Sequence, residues 1–276
     1  MDKRLLFQLI LLFVLTQAIG LFVAFNLISG ISAGTIEQPG IITQNPDDIA
    51  NALFLIAYIL VGTGFFLFAI KFVKRPWLFK VLELFILFFT AGLLFEFALG
   101  EPWGILLAII LVASRIIFRK NIWLRNLGSI ISSATVGALV GITLGVIPIL
   151  VFITALSIYD YIAVFKTKHM VTLAKGIQGK NLGFTLAMPT PKHTFELGTG
   201  DLVIPLAFAT SAMQNSLPLG FPNYFFIAIF ILLGSIVGLI LTLEYLSKRI
   251  GTALPALPLQ TAIMIVIFAA AKLAGF

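Results

Sequence analysis

The chain has 276 residues, 60% of them hydrophobic and only 11% charged, with a mean hydropathy of +1.12; an ordinary soluble domain, about a quarter of it charged, is excluded. With no Cys and two His, disulfides, thiol nucleophiles, Cys-ligated zinc, iron–sulfur clusters and a His-rich metal site are excluded as well. The net charge of +7 comes from 18 Lys and Arg against 11 Asp and Glu, but the bases lie in short clusters between apolar runs rather than along one amphipathic face, which points to membrane topology and not to nucleic acid.

A hydrocarbon core about 30 Å thick needs roughly 20 apolar helical residues. Apolar runs bounded by charge, Pro or Gly predict nine spans, at 5–28, 50–73, 77–99, 102–118, 126–145, 147–165, 201–216, 223–246 and 258–275. The first follows Lys3 and Arg4 and precedes Ser32-Ala33-Gly34, yet it is much longer than the roughly 7–15 apolar residues of a cleaved signal, so a retained helix is expected. The loop 29–49 carries Glu37, Asp47 and Asp48 and no base. The fourth and seventh spans are short. Between the sixth and seventh lies a long connection, 166–200, rich in Lys, Gly, Thr and Pro, in which a short interfacial helix is expected near 169–178. Its Gly176-Ile177-Gln178-Gly179-Lys180-Asn181 lacks the glycine spacing and the Ser/Thr of a phosphate loop. No fixed-period or inverted repeat is visible. The chain thus reads as an all-α polytopic membrane protein: residues 1–165 with six spans, the loop 166–200, and residues 201–276 with three.

Counting bases on alternate connections tests both the number of spans and their direction. With the N-terminus cytoplasmic, the inner side collects Lys3, Arg4, Lys71, Lys74, Arg75, Lys80, Arg115, Arg119, Lys120, Arg125, Lys166, Lys168, Lys175, Lys180, Lys192, Lys248 and Arg249. The outer side receives Lys272 alone. A miscounted span would scatter the later clusters over both sides, so nine spans with the C-terminus outside are expected, the excess charge facing anionic headgroups.

An ionisable side chain at bilayer depth costs about 2.5–3.5 kcal/mol, so one that persists faces the protein interior or a wet cavity. Glu83 has Lys80 one turn away, Glu96 lies near the outer end of the third span, and Glu244 precedes Lys248 by four residues, the favourable order for a helical ion pair. All three read as interfacial or paired carboxylates. Asp160 and Asp201 differ, since neither has a base within one turn of its own span. Asp160 follows Tyr159 about five residues inside the inner end of span six, and Asp201 closes Leu197-Gly198-Thr199-Gly200-Asp201 and opens span seven. Span six runs inward and span seven outward, so both carboxylates lie in the inner part of the bilayer.

Two facing carboxylates in a poorly solvated site cannot both ionise easily, and so share a proton. The ionised partner can take a proton from water while the protonated one polarises a peptide carbonyl. Gly198 and Gly200 remove side chains beside Asp201 and permit unusual backbone angles, leaving room for a substrate backbone. On the same side, the prolines of Gly251-Thr252-Ala253-Leu254-Pro255-Ala256-Leu257-Pro258 favour extended backbone and discourage helix through the segment. Non-helical backbone at that depth must be buried in protein or line a cavity.

These residues carry a resemblance. Tyr159-Asp160, Gly198-Thr199-Gly200-Asp201 and Pro255-Ala256-Leu257 resemble the YD, GxGD and PAL motifs of the presenilin and signal peptide peptidase family, in the same order and on the corresponding spans. Leu197 and Asp201-Leu202-Val203-Ile204-Pro205 resemble the signal peptide peptidase branch, and the compact loops a prokaryotic presenilin homologue. The resemblance implies an intramembrane aspartyl protease with Asp160 and Asp201 as catalytic pair, Tyr159, Gly198, Thr199 and Gly200 shaping the site, and Pro255, Ala256 and Leu257 positioning substrate. It implies no cofactor or metal, substrates that are transmembrane helices, and a multi-pass location in the cell membrane if the source is prokaryotic. A helical substrate must unwind, and its freed backbone groups need new partners in lipid; strand pairing beside extended backbone near Pro255-Ala256-Leu257 would supply them. The chain departs from presenilin in lacking the very long loop cut during maturation, so activation by endoproteolysis is not expected and a single chain without accessory subunits is expected to be competent. Homo-oligomerisation is left open.

Other chemistries fit less well. His169 and His193 make no His-Glu-x-x-His, and no Gly-x-Ser-x-Gly marks a serine nucleophile. The alternative function is an ion-coupled transporter or cation channel using the same aspartates, which predicts ion flux and no proteolysis.

Overall fold

The computed structural model describes residues 3–72, 76–166, 183, 185–189, 194–247 and 255–275. Among them are nine helices: α1 (Lys3–Ser32), α2 (Ile49–Phe72), α3 (Pro76–Leu99), α4 (Trp103–Ile117), α5 (Ile122–Thr143), α6 (Val146–Phe165), α7 (Gly200–Asn215), α8 (Asn223–Ser247) and α9 (Leu257–Leu273). They answer to the nine spans read from the sequence. Six, namely α1, α2, α3, α5, α6 and α8, are long and apolar enough to cross a bilayer, and α4 and α9 are shorter apolar helices.

Helix α7, only 16 residues long, is the axis of the bundle. From Leu202 to Met213 nearly every side chain is buried, and α1, α5, α6, α8 and α9 all pack on it. Small residues let its neighbours approach closely. A Cβ on Gly20 of α1 or on Gly137 of α5 would run into Leu206, and one on Gly141 would meet the Ala207 carbonyl at 2.5 Å. With apolar lipid on the outside, close van der Waals packing of this kind is what holds membrane helices together. By contrast α2 leans chiefly on α6, and little of it is buried.

The starts of α3, α5, α7 and α9 and the ends of α4 and α6 meet at one end of the bundle. Arg115 of α4 reaches Glu83 of α3, Arg125 of α5 reaches Glu196, and Asp160 of α6 meets Leu257 of α9. At the end of α2, Phe66 packs edge-on to Phe79 of α3, ring centroids 5.4 Å apart. Among the described residues, the bases Lys80, Arg115, Arg119, Lys120, Arg125 and Lys166 lie on or beside these helix ends.

Two predicted boundaries move. Helix α5 starts at Ile122 rather than 126, because the Asn121 side chain accepts from the Trp123 and Leu124 N–H groups and caps the helix earlier. Arg125 is thereby drawn into the first turn and buried. Helix α9 starts at Leu257, between the two prolines, since Pro258 falls in the first turn, where a missing N–H costs nothing.

The connection before α7, expected as loop, contains an antiparallel hairpin of β1 (Thr185–Pro189) and β2 (Thr194–Gly198), with Leu186 opposite Leu197 and Ala187 opposite Glu196. It is sunk into the bundle. Leu186, Met188 and Leu197 join Leu9 and Phe13 of α1, Leu202 of α7 and Leu239 and Leu243 of α8 in one apolar cluster. The interfacial helix expected near 169–178 and the Gly176–Asn181 stretch lie outside the described residues, as does Lys248, the expected partner of Glu244.

Candidate active site

Asp160 sits on the last turns of α6, 7% exposed, among helices that offer it little water. Its carboxylate accepts a hydrogen bond from the Leu257 backbone N–H. That donor exists because Leu257 opens α9, where an N–H has no partner within the helix. Pro255 is half-buried and non-helical, Ala256 has φ −83 and ψ −31, and Ala256 and Leu257 are both buried. The extended backbone expected through Pro258 is not kept from Ala256 onward, and residues 251–254 lie outside the described residues.

Asp201 lies in the first turn of α7, the end at which a negative charge is favourable. It is close enough to Asp160 for the two carboxylates to act on each other electrostatically. Three segments that stand far apart in the chain are thus gathered: Asp160, Gly198 to Asp201, and Leu257. Thr199 caps α7 through its carbonyl, which accepts from Leu202 at 3.1 Å and Val203 at 3.0 Å. Gly198 and Gly200 do not adopt the left-handed backbone that glycine permits, which corrects the expectation of unusual angles. Space is what they leave. A Cβ on Gly198 would come to 3.6 Å from Asp201 Oδ2, and one on Gly200 would meet nothing within 4 Å. Tyr159, next to Asp160, is hydrogen-bonded to Thr63 of α2.

A model of the family described as signal-peptide peptidase, presenilin aspartyl protease matches residues 10–275. The chain belongs to this family. It is accordingly an aspartyl peptidase of the membrane. Among solved structures it is similar to a presenilin family intramembrane aspartate protease in two crystal forms. For the C222 form the identity is 22%, with 98% of each chain covered and a TM-score of 0.66. For the P2 form the identity is 23%, with 96% of each chain covered and a TM-score of 0.66. Among curated proteins no sequence matches.

Around the aspartates of this family member, the structure adds residues that sequence reasoning passed over. Gln17 of α1 donates through Nε2 to the Leu202 carbonyl at 3.1 Å, bracing the turn that carries Asp201. The first turns of α5 hold the hairpin. Arg125 pairs with Glu196 at 3.2 Å, and the Ser129 hydroxyl is hydrogen-bonded to the Gly183 and Thr185 carbonyls at 2.8 and 3.2 Å. The Asn126 amide donates to the Ala187 carbonyl at 2.8 Å and accepts from the Ala187 N–H at 2.9 Å, as a third strand would. Because β2 runs directly into Gly198 and α7, clasping β1 positions Asp201.

Glu83 is paired, as its sequence setting suggested, but with a different base. Arg115 presents both Nε and a terminal nitrogen to Glu83 Oε1 at 3.0 Å, a two-donor geometry that the ammonium of Lys80 cannot supply. Beyond this pair a cavity of about 140 Å³ between α3, α5 and the start of α7 is lined by Glu83, Ser132, Ser133, Gly183, Thr199 and Val203. Ser133 Oγ is buried there with no hydrogen-bond partner. Among the described residues no group of His, Cys, Asp and Glu is placed to hold a metal ion.

Proposed function

We propose that this intramembrane aspartyl protease hydrolyses peptide bonds within transmembrane helices through Asp160 and Asp201. The observation that carries the reading is the convergence of the two carboxylates with the Leu257 backbone at one end of the bundle. One carboxylate, ionised, takes a proton from water as that water attacks the scissile carbonyl. The other, protonated, donates to the carbonyl oxygen and so stabilises the tetrahedral intermediate, and the proton then passes to the leaving amine. The pair acts as a unit, and its two proton affinities belong to the dyad. The cavity beside Thr199 and Val203, with the orphan hydroxyl of Ser133, supports a store of water next to Asp201.

An unwound substrate needs backbone partners. The hairpin has two strands, and Asn126 already occupies the outer edge of β1 at Ala187. The outer edge of β2, from Thr194 to Gly198, is therefore the more available template, and it leads straight to Asp201. A peptide laid there, with Pro255 on the far side, spans the dyad. Tyr159, Gly198, Thr199 and Gly200 shape this space, and Pro255, Ala256 and Leu257 position the chain. The base count supports a cytoplasmic N-terminus and an outer C-terminus, with the dyad in the inner half of the bilayer. A single chain suffices without accessory subunits.

The test is cleavage of a synthetic transmembrane peptide by purified protein in liposomes. Wild type cuts it; Asp160→Asn and Asp201→Asn each lose activity by about a thousandfold or more. Cleavage that survives either substitution, or ion flux lost on substitution with no proteolysis at all, overturns the reading.

A further inference from the structure

A second cavity, about 220 Å³, opens between the start of α3 and the end of α4. Helix α4 packs mainly on α3, so the cleft lies at the periphery of the bundle, and neither aspartate lines it. Its outer walls are apolar and exposed: Trp77, Val81 and Ile116. Its polar lining is Lys80, Arg115 and Arg119, against the single carboxylate of Glu83. Arg115 and Glu83 are buried and meet at the floor, so the lining carries three cationic side chains against one carboxylate, with the half-buried Lys80 and the exposed Arg119 at the mouth. Arg119 is held in place, its carbonyl accepting from Arg115 at 2.9 Å and its Nε donating to the Ile116 carbonyl at 3.0 Å.

We infer that this cleft binds an anionic phospholipid of the surrounding leaflet. The two halves of the cleft match the two halves of that molecule. The wall of Trp77, Val81 and Ile116 suits an acyl chain, and Lys80 and Arg119 stand at the helix ends, the depth at which a phosphodiester lies. A soluble anion would find the same charges but would leave the apolar wall facing nothing. A zwitterionic lipid would bring a cationic headgroup to a site that already has a surplus of positive charge. Glu83 lines both this cleft and the cavity beside Thr199 and Val203, and a Cβ on Gly183 would fall 2.8 Å from its Oε1.

Trp77 provides the reporter. A variant carrying Trp103→Phe and Trp123→Phe keeps Trp77 as the single tryptophan and is reconstituted into phosphatidylcholine vesicles doped with acyl-brominated phosphatidylglycerol or, at the same mole fraction, acyl-brominated phosphatidylcholine. The expected result is a relative affinity about fivefold or more in favour of the brominated phosphatidylglycerol, the worth of one interfacial cation. Lys80→Gln with Arg119→Gln abolishes the preference, and Lys80→Arg with Arg119→Lys retains it. Equal quenching by the two lipids overturns the inference, as does a preference that survives the glutamine variant. Relief of quenching by glycerol phosphate in solution assigns the cations to a free phosphate and overturns it too. The competition arm needs no change to either base, so misfolding of the glutamine variant does not remove the test.

Discussion

The Leu257 backbone N–H donates to the Asp160 carboxylate, so the first residue of α9 and a carboxylate near the end of α6 fix each other. An amide oxygen can accept that bond as well as a carboxylate can. Asp160→Asn is therefore expected to keep the thermal stability of the wild type while losing peptide cleavage. Asp160→Leu loses cleavage and also strands the buried Leu257 N–H, at a cost of about 1–3 kcal/mol. Thermal unfolding in detergent beside the cleavage assay checks both; equal melting points for the two variants would show that the bond carries no stability.

Cleavage is expected to have a bell-shaped dependence on pH. At low pH both carboxyls are protonated and no base remains to activate water. At high pH both are ionised and no acid remains for the carbonyl oxygen. A rate profile measured on a peptide free of titratable side chains, with the proteoliposomes shown intact at both extremes, checks this; a single sigmoid would mean that only one of the pair titrates.

The clasp of Asn126 on Ala187 predicts an effect at a distance. Asn126→Ala leaves the N–H and carbonyl of a buried residue without partners and loosens the hairpin that delivers Asp201. Hydrogen exchange over 185–189 and 194–198 is expected to speed up by about tenfold, equivalent to about 1.4 kcal/mol of lost protection, and cleavage is expected to fall with it. Unchanged exchange would mean that the apolar cluster of Leu186, Met188 and Leu197 holds the hairpin unaided.

What the sequence disclosed and what it withheld follow from range. Long apolar runs state their own helices, and the parity of the base clusters states their number. The motif residues around Asp160 and Asp201 are short local patterns, each readable in place. The hairpin escaped because Thr185-Leu186-Ala187-Met188-Pro189 lies inside a polar, proline-rich connection, and all of Thr185 to Met188 is buried by the bundle instead of alternating between a wet and a dry face. The pairing of Glu83 with Arg115 and of Arg125 with Glu196 crosses 32 and 71 residues of chain, where helical spacing rules have nothing to say. Glu83 could only be matched to Lys80 by such a rule.

That buried pair makes its own prediction. Replacing Arg115 by Met leaves Glu83 as a buried charge without its counter-ion, and is expected to cost about 3–5 kcal/mol. The double variant Glu83→Gln with Arg115→Met removes both charges and is expected to recover most of the loss. A double-mutant cycle on unfolding free energies checks the coupling; additive losses would show that the two groups do not depend on each other.

Ser133 separates the water store from mere structural space. Its hydroxyl has no protein partner, so Ser133→Val strands no other group, and the added methyls fill part of a cavity of about 140 Å³. By itself that filling is neutral or slightly stabilising. If the cavity feeds water to Asp201, the same change dries it and slows hydrolysis. The expected outcome is a melting point equal to or above that of the wild type, with turnover reduced about tenfold and KM little changed, because Ser133 lies on α5, off the β2 edge proposed to hold the substrate. Ser133→Ala, which leaves the space open, is expected to stay near the wild-type rate. A valine variant with full turnover would locate the hydrolytic water elsewhere, on the open side of Gly198 and Gly200.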